Sequence, residues 1–518
     1  MKKAVCALLC AILCFSLASC RRSSGGTASD ISPEQAVEIK SVEINLLYYS
    51  GDSFNPYTAK TKHNRQVARL LYDPLLKYDN NYNPVYCLAQ SASISANTCR
   101  VTLKKANFTD GTPVTPNDVV YSYNLARNSQ TIYASELYEV SSVTAEGDSV
   151  VFTLTCVDPC FLNLLDFPVI KAESDGKKNS DGVDIAPVGC GRYYVSDNTN
   201  ILLRNDNYFG KKSDISKITL INAPDDISAS HYVEVGNTDI YYADESVANI
   251  ARMSGKRADV NLNNFVYIGV NGANPLLSVS NVRYAISSAI DRYEICHSAY
   301  YDNAVPATGF YNPKFKATNA VQSLKTGADL QISVENLGKM GYNNLDKGYY
   351  CNSDGKHLKF SLLVNSDNSS RAAAANLIAN ECRAAGIEIN VVSKPFAQYK
   401  ALLEAGSFEL YLGEIRVLPN MDLSGLVVAG GSAAYGVTVP VSDDEAGTPL
   451  KTVCGEMVES YRQGKIKPAD LAGAFLTEMP QIPVCYRQGM LFYTSAIESG
   501  VMPSASDVFL NLENYNIK

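Results

Sequence analysis

The 518-residue sequence has no tryptophan and only four histidines, against 33 tyrosines. The histidines (His63, His231, His297 and His357) are far apart, and no two cysteines have the Cys-x-x-Cys spacing of zinc sites. A metal centre needs several such ligands close together, so the sequence predicts neither a metal site nor a cofactor. Without tryptophan, tyrosine is the main residue that combines a large apolar area with a polar end.

The sequence also lacks common catalytic motifs: Gly-x-Ser-x-Gly, His-Glu-x-x-His and a phosphate-binding loop do not occur. Three short motifs of class A β-lactamases do occur in order, at 174–177, 196–198 and 325–327. The nucleophile of that class lies on a helix, whereas Ser174 lies in a glycine-containing stretch that predicts a loop. The sequence therefore predicts a protein that is not an enzyme.

Basic residues are not in excess, because 45 Lys and Arg stand against 53 Asp and Glu. The net charge of -8 excludes a nucleic-acid groove, which needs a basic face. The apolar fraction of 46% is ordinary for a globular protein. A chain of 518 residues exceeds what one hydrophobic core holds, so two or three domains are expected.

Only the start of the chain contains a long apolar run, and this run is too short to span a membrane. Within residues 1–20, two lysines precede the run and small residues follow it, which is the pattern of a secretory signal. Residues 17–20, Leu-Ala-Ser-Cys, resemble a bacterial lipobox, which implies cleavage before Cys20 and a lipid on that cysteine. The alternative is a plain signal peptide. The polar residues 21–40 predict a flexible tether.

Fourteen cysteines are present, of which three leave with the signal and Cys20 is the predicted lipid site. Ten then remain. An exported chain permits disulfides, and Cys156 and Cys160 are near enough in sequence to form one. The other interpretation, which is the default, is that the cysteines are buried free thiols.

The most informative stretch is 108–124, Phe-Thr-Asp-Gly-Thr-Pro-Val-Thr-Pro-Asn-Asp-Val-Val-Tyr-Ser-Tyr-Asn. Its Asp-Gly pair predicts a tight turn. Thr115 stands where a helix N-cap belongs, with Pro116 at the first helical position and Asp118 three residues after the cap. The stretch therefore predicts a strand exit, a turn and a capped helix.

Its wording resembles the motif Phe-x-Asp-Gly-x-Pro-Val-Thr-x-x-Asp-Val-Val-Tyr-Ser of the family 5 extracellular solute-binding proteins, the dipeptide and oligopeptide receptors of bacterial ABC importers. A second stretch, 282–292, resembles the family's Val-Arg-x-Ala-hydrophobic-x-x-Ala-Ile-Asp-Arg. Looser resemblances occur at 54–56, 187–194 and 482–489. The resemblance covers nearly the whole mature chain.

Hydrophobic periodicity and helix-stop signals predict helices and strands along the chain. Predicted helices are 65–76, 371–385 and 396–406, and predicted strands are 42–49, 150–155, 265–271, 387–392 and 408–413. The alternation of helices and strands after residue 371 favours a lobe with a parallel sheet.

The resemblance implies an α/β chain with the large, two-lobed periplasmic-binding-protein-like fold of type II. Two chain crossings would form its hinge, and a subdomain would be inserted in lobe 1. The implied boundaries are 41–57, 187–268 and 480–518 for lobe 1, 58–186 for the inserted subdomain and 269–479 for lobe 2.

In such a fold the ligand lies between the lobes. The candidate ligand-binding residues are Phe54, Asn55, Glu414, Arg416, Asp422, Tyr435 and Arg487. Family members carry an aspartate that pairs with the peptide α-amino group, and Asp422 is the nearest candidate here, although the family's Ala-Asp-Tyr-Pro-Asp-Pro wording is absent. Arg416 is suited to receive an anionic terminus as a bidentate donor. Arg487, on a predicted return strand, is a further cleft candidate.

The resemblance implies a monomeric, exported, lipid-anchored receptor that captures oligopeptides by hinge closure and delivers them to an ABC permease in the membrane. One alternative is the same fold binding a non-peptide solute such as a metal complex, haem or an oligosaccharide. The four scattered histidines fit poorly with nickel held by protein side chains. Another alternative is a peptide sensor that does not feed transport.

Overall fold

The computed structural model describes residues 42–180, 182, 184–197, 200–244, 255–437 and 453–518. The predicted signal segment 1–20, the lipid site Cys20 and the tether 21–40 lie outside these ranges. None of the helices in the described ranges is both long enough and apolar enough to cross a bilayer.

The strands and helices follow one another along the whole described chain. The strands are β1 (Val42–Tyr48), β2 (Leu76–Tyr78), β3 (Pro84–Tyr86), β4 (Ala89–Ser95), β5 (Thr98–Leu103), β6 (Val140–Glu146), β7 (Ser149–Leu154), β8 (Tyr193–Val195), β9 (Ile201–Arg204), β10 (Ile215–Asn222), β11 (Ile240–Ala243), β12 (Lys256–Val270), β13 (Ala304–Pro306), β14 (Asn344–Asp346), β15 (Tyr349–Cys351), β16 (Lys359–Asn365), β17 (Glu388–Lys394), β18 (Leu410–Arg416), β19 (Gln481–Tyr493), β20 (Ile497–Ser499) and β21 (Asn516–Ile517). The helices are α1 (Lys62–Leu71), α2 (Pro116–Arg127), α3 (Ile132–Glu136), α4 (Asp226–Glu234), α5 (Ser280–Ala289), α6 (Arg292–Tyr300), α7 (Leu330–Lys339), α8 (Ser369–Ala384), α9 (Phe396–Glu404), α10 (Ser424–Val427), α11 (Val453–Arg462) and α12 (Pro468–Glu478).

Within the described ranges, eleven strands form one mixed sheet in the order β17-β16-β18-β12-β19-β11-β1-β10-β9-β8, with β13 paired to β19. Strands near both ends are parallel: β1 runs parallel to β10 and β11, and β16 to β17 and β18. The helices α8 and α9 connect the second group. This arrangement confirms the predicted parallel-sheet lobe and the α/β class.

The long strands β12 and β19 are antiparallel to each other and join the two ends of the sheet. A bulge interrupts their register between Asn261 and Asn264, where Asn263 has a φ of 58°. The Asn263 side chain stabilises this bend, because its Nδ2 donates to the Val417 carbonyl oxygen at 3.0 Å. Beyond the bulge β12 also pairs with β18, so the bulge lies where the pairing of the sheet changes.

Residues 89–154 include a four-stranded antiparallel sheet in the order β4-β5-β7-β6. The helix α2 follows its first hairpin and begins as the sequence predicts. The Asp118 carboxylate accepts hydrogen bonds from the Thr115 amide at 2.9 Å and the Thr115 hydroxyl at 2.6 Å. These bonds satisfy groups at the helix N-terminus that would otherwise have no partner inside the helix.

The predicted helix over 65–76 is wrong at both ends, because α1 spans Lys62–Leu71 and Leu76 begins β2. Thr61 caps the start by accepting a hydrogen bond from the Asn64 amide. At the other end Tyr72 is extended and Asp73 precedes a proline. Proline disfavours helical backbone at the residue before it, so the helix ends before that position.

Two buried apolar clusters support the two ends of the sheet. The first joins β1 and β10 to the four-stranded sheet and includes Ile44, Leu46, Leu220, Val101 and Phe152. The second packs α5, α6 and α8 on β16 and β18 and includes Ile286, Ile295, Ile378, Leu362 and Leu412. Each fully buried side chain of this size contributes about 1.5–3 kcal/mol.

The second sequence motif, 282–292, has a structural role in the second cluster. Its apolar residues lie on the buried face of α5. Its two arginines donate to main-chain carbonyls: Arg283 Nε to Met479 at 2.9 Å and Arg292 Nε to Pro483 at 2.9 Å. These hydrogen bonds fix α5 and α6 to the start of β19.

A buried ion cluster fixes the segment that follows β20. One Asp507 carboxylate oxygen accepts hydrogen bonds from Lys77 Nζ at 2.9 Å and Arg192 Nη2 at 2.7 Å. Its other oxygen accepts from the Phe509 amide at 2.9 Å. Lys77 also pairs with Asp73 at 2.9 Å. Two cations therefore face two anions away from water.

The ten cysteines in the described ranges are free thiols, Cys156 and Cys160 included. The thiols are therefore free, as the default interpretation predicts, and no disulfide joins Cys156 and Cys160; seven of the ten are buried, whereas Cys87, Cys156 and Cys160 are half-buried. In the same ranges no three His, Cys, Asp or Glu side chains come together in a way that could hold a metal ion.

Candidate functional site

Two of the cavities bordered by the loop that follows β1 are candidates for the site. The larger, about 650 Å³, lies between residues 50–54 and the loop 184–189, on one side of β1 and β8. The smaller, about 320 Å³, lies between α1 and the middle of the large sheet. The smaller cavity is the better candidate, because residues from neighbouring middle strands of the sheet meet those of α1 and α3 there, together with a cluster of charged side chains. We refer to it as the cleft.

The cleft is lined by residues from α1, from the segment before and within α3, and from β12, β18 and β19. These include Pro56, Lys62, Arg65, Gln66, Arg69, Thr131, Ile132, Tyr133, Pro168, Tyr242, Asp244, Leu262, Asn264, Arg416 and Arg487. Five of these carry a positive charge and only one is an acid. The lining therefore favours an anionic group on a ligand.

Arg416 ends β18 and projects into the cleft. Its Nη2 donates to Glu136 Oε1 at 3.0 Å. The Arg416 side chain is 35% exposed, whereas the Glu136 side chain is fully buried. Nη2 of the guanidinium is thus held by the buried Glu136, while the exposed part of the side chain is accessible to a ligand.

Arg487 of β19 forms an ion pair with Glu414 of β18. Arg487 Nη1 lies 2.9 Å from Glu414 Oε1, and Asn264 Nδ2 donates to the same oxygen at 2.8 Å. Arg371 of α8 lies 3.6 Å from the other Glu414 oxygen. Although burial alone would raise the pKa of Glu414, the charges of Arg487 and Arg371 lower it. This carboxylate is therefore ionised; it holds Arg487 by a hydrogen bond and faces Arg371 as a counter-charge.

The structure brings Arg416, Arg487 and Glu414 together and places the other predicted residues elsewhere. Phe54 lines the larger cavity and stacks on Tyr48 with ring centroids 5.9 Å apart. Asn55 forms a local turn, since its Oδ1 accepts from the Tyr57 amide at 3.0 Å.

The remaining two predicted residues also lie outside the cleft lining. Asp422 caps the start of α10, because its carboxylate accepts from the Ser424 amide at 2.9 Å and the Ser424 hydroxyl at 2.6 Å. Tyr435 lines a separate hollow beside residues 430–436, and its ring contacts Tyr411 edge-on.

Sequence reasoning did not identify the cations of α1 or the buried Glu136. Lys62, Arg65 and Arg69 are spaced by three and four residues, which places them on one face of a helix. That spacing could have indicated a cationic face. Glu136 gives no such signal, because its partner Arg416 is 280 residues away in sequence.

The serine of the β-lactamase-like motif, Ser174, has a structural role in its loop. Ser174 lies in a loop, as its sequence predicts, and is buried. Its hydroxyl donates to the Lys171 carbonyl oxygen at 2.7 Å and accepts from the Val188 amide at 3.1 Å. These bonds close the loop and do not position a nucleophile.

The family model of the bacterial extracellular solute-binding proteins, family 5, matches residues 83–431, which is more than half of the chain. A putative ABC transporter peptide-binding protein of Brucella suis is 28% identical over 278 residues, which are 50% of this chain and 52% of that protein. The match thus spans about half the length of this relative. The oligopeptide-binding protein AppA of Bacillus subtilis is 24% identical over 374 residues, 68% of each chain. The nickel-binding periplasmic protein of Escherichia coli is 22% identical over 476 residues, 84% of this chain and 87% of that protein.

Solved structures share the fold. An unliganded open form of the murein tripeptide-binding protein MppA superposes with a TM-score of 0.72 at 16% identity, over 92% of this chain and 96% of that chain. NikA of Brucella suis in complex with Fe(III)-EDTA superposes with a TM-score of 0.68 at 17% identity, over 92% of this chain and 100% of that chain. The predicted two-lobed fold of type II is confirmed.

Proposed function

This chain belongs to family 5 of the bacterial extracellular solute-binding proteins, and from that premise we propose that it is the substrate-binding component of an ABC importer. It captures oligopeptides in the cleft between its lobes and delivers them to a membrane permease. It performs no bond-breaking chemistry. Peptide binding by the Brucella relative and by AppA, as their names state, supports this substrate class.

The single observation that carries the proposal is the pair of arginines in the cleft, Arg416 and Arg487. Each is held by a buried or nearly buried carboxylate, Glu136 or Glu414. Arg416 can therefore present fixed N–H donors to a carboxylate, such as the C-terminus of a peptide. Arg487 adds positive charge beside it, while its own Nη1 and Nη2 donate to Glu414 and to the Asp244 carbonyl oxygen. Recognition of a terminus leaves the side chains of the peptide free to vary.

A carboxylate-bearing metal chelate is the second candidate ligand. The nickel-binding relative matches 84% of this chain, and a chelate would present its carboxylates to the same arginines. No histidine contributes to the described part of the cleft lining. A bare nickel ion would therefore lack its preferred ligands on the protein.

Hinge closure follows from the same proposal. The segments 41–57, 187–268 and 480–518 form lobe 1, with 58–186 inserted in it, and 269–479 form lobe 2. The bulge at 261–264 of β12 is the point at which we expect the crossing strands to bend. A ligand that contacts both lobes shifts the population towards the closed form. The protein is exported, monomeric and anchored by a lipid on Cys20.

Mass spectrometry of the material that co-purifies with the full chain tests the ligand class. We expect a mixture of short peptides, released on unfolding and depleted in the Arg416→Gln variant. The Arg100→Gln variant, which changes an exposed arginine outside the cleft, should retain them. A single metal chelate instead of peptides would contradict the peptide assignment and support the second candidate.

A further inference from the structure

Two buried carboxyl groups lie behind the cleft, one behind each of two arginines. Glu136 of α3 accepts from Arg416, and Asp166 accepts from Arg69, whose Nη1 donates to the Asp166 carbonyl oxygen at 2.7 Å and whose Nη2 lies 3.3 Å from Asp166 Oδ2. Both carboxyl side chains are at most 2% exposed. Arg69 and Arg416 both line the cleft. The Glu136 and Asp166 side chains are themselves within hydrogen-bonding reach of each other, so the four groups form one arch behind the cleft.

Each carboxyl group uses only one of its oxygens for the arginine. Within the described part of the chain, Glu136 Oε2 and Asp166 Oδ1 are buried and accept no hydrogen bond from any donor. Ser506 donates to the other Asp166 oxygen at 3.0 Å. A buried carboxylate oxygen without a donor is costly, and two of them in one place are more so. A proton between the two carboxyl groups would give both oxygens a partner.

We propose that Glu136 and Asp166 share one proton at neutral pH, and that this proton keeps the cleft positively charged so that it binds the anionic end of a ligand. The proton comes from solvent and is held on Glu136, which donates a hydrogen bond to Asp166. When the pH rises, hydroxide from solvent takes this proton and becomes water, and the Glu136 carboxylate becomes a full counter-ion of Arg416. This inference rests on the proposed function.

The charge balance of the arch explains the effect. Without the proton, the charges of Arg69 and Arg416 are cancelled by those of Glu136 and Asp166. With the proton, one positive charge remains in excess. The other titratable groups that face Glu136 are the phenols of Tyr133 on α3 and Tyr78 on β2, which stay neutral because burial raises their pKa.

The direction of the pKa of Glu136 agrees with this geometry. Burial, together with the charge of Asp166 and the hydrogen bond to Asp166, raises the pKa of Glu136 to about 8, against the charges of Arg416 and Arg69. An anion in the cleft favours the protonated form still more. By linkage, anion affinity is high below this pKa and falls as pH rises through it.

Infrared spectroscopy of the full chain tests the shared proton without any ligand. We expect a carbonyl band of a protonated carboxylic acid at pH 7 that fades as the pH rises through about 8 and is lost from Glu136→Gln, separately from the band of Glu381. Glu381 is the matched control, because burial raises its pKa to about 7 and it lies outside the cleft. The Glu381→Gln variant should retain the band that Glu136→Gln loses. An unchanged spectrum in Glu136→Gln would overturn the proposal.

The binding of trialanine at pH 6 and pH 9 tests the coupling to the ligand. We expect the affinity of the wild type and of Glu381→Gln to fall about tenfold more than that of Glu136→Gln, since an adjacent charge shifts a pKa by about one unit or more. The peptide amino group titrates in the same range, but equally for every variant. Equal pH dependence in all three proteins would overturn the coupling. If trialanine did not bind at all, the proposed function would be in question, while the infrared spectrum would still decide the shared proton.

Discussion

Replacing Asp507 with asparagine is expected to lower the free energy of unfolding by about 3–5 kcal/mol, the cost of breaking a buried ion pair from one side. Asp507 is fully buried and is the shared counter-ion of Lys77 and Arg192. Its neutral substitute would leave one of these cations without a compensating charge. Urea denaturation at pH 7 measures the difference.

The matched control is Glu146→Gln, which removes the acid of an exposed pair with Arg100. We expect this variant to lose at most about 1 kcal/mol. A loss of similar size in Asp507→Asn would contradict the role given to the buried cluster.

The effect of Asp507 has a defined pH dependence. Burial alone would raise its pKa, but the charges of Lys77 and Arg192 lower it to about 2 from the ordinary value of 3.8. The folded-state pKa is therefore depressed, so the stabilisation is complete above pH 4 and is lost as pH falls towards 2. The difference between wild type and Asp507→Asn should shrink over this interval.

Replacing Arg416 with glutamine is expected to weaken the binding of trialanine by about 10- to 100-fold. A hydrogen bond to a charged group contributes about 1.5–3 kcal/mol, and about 1.4 kcal/mol corresponds to a factor of ten. Titration calorimetry at pH 7 measures the change. Arg100→Gln should bind like the wild type.

The C-terminal amide of trialanine makes this prediction specific for the carboxylate. The wild type should bind the amide more weakly than the acid, whereas Arg416→Gln should discriminate little between them. If Arg416→Gln lost the same affinity for the acid and for the amide, Arg416 would shape the cleft and would not recognise the terminal carboxylate.

The parts of the fold that depend on local chemistry could be predicted from the sequence. The cap at Thr115 and the strands β17 and β18 are examples, since a capping residue and an apolar period act over a few neighbours. The predicted helix 65–76 runs past the end of α1 because Pro74 disfavours helical backbone at Asp73, and the apolar period does not reflect this effect. The first half of β12, residues 256–264, is not among the predicted strands, although Ala258, Val260 and Leu262 alternate there with polar residues. Its pairing with β19 extends the strand beyond the predicted start at residue 265.

Residues of the candidate site could be predicted only where a charged residue lies in an apolar strand or directly after one. Arg416 and Arg487 follow or lie within apolar strands and were identified. Asp422 is predicted from its position relative to the family's motifs, but both of its carboxylate oxygens accept hydrogen bonds from the nearby Ser424. Glu136 and Asp166 depend on contacts between segments that are distant in the chain, and no local pattern encodes such contacts.

The central claim is that two lobes close around a solute bound in the cleft. Small-angle X-ray scattering of the protein, stripped of its co-purifying solute and then saturated with it, tests this claim most directly. We expect a smaller radius of gyration in the saturated state, and a smaller change in Arg416→Gln at the same solute concentration. Identical scattering curves for the stripped and saturated wild-type protein would contradict it.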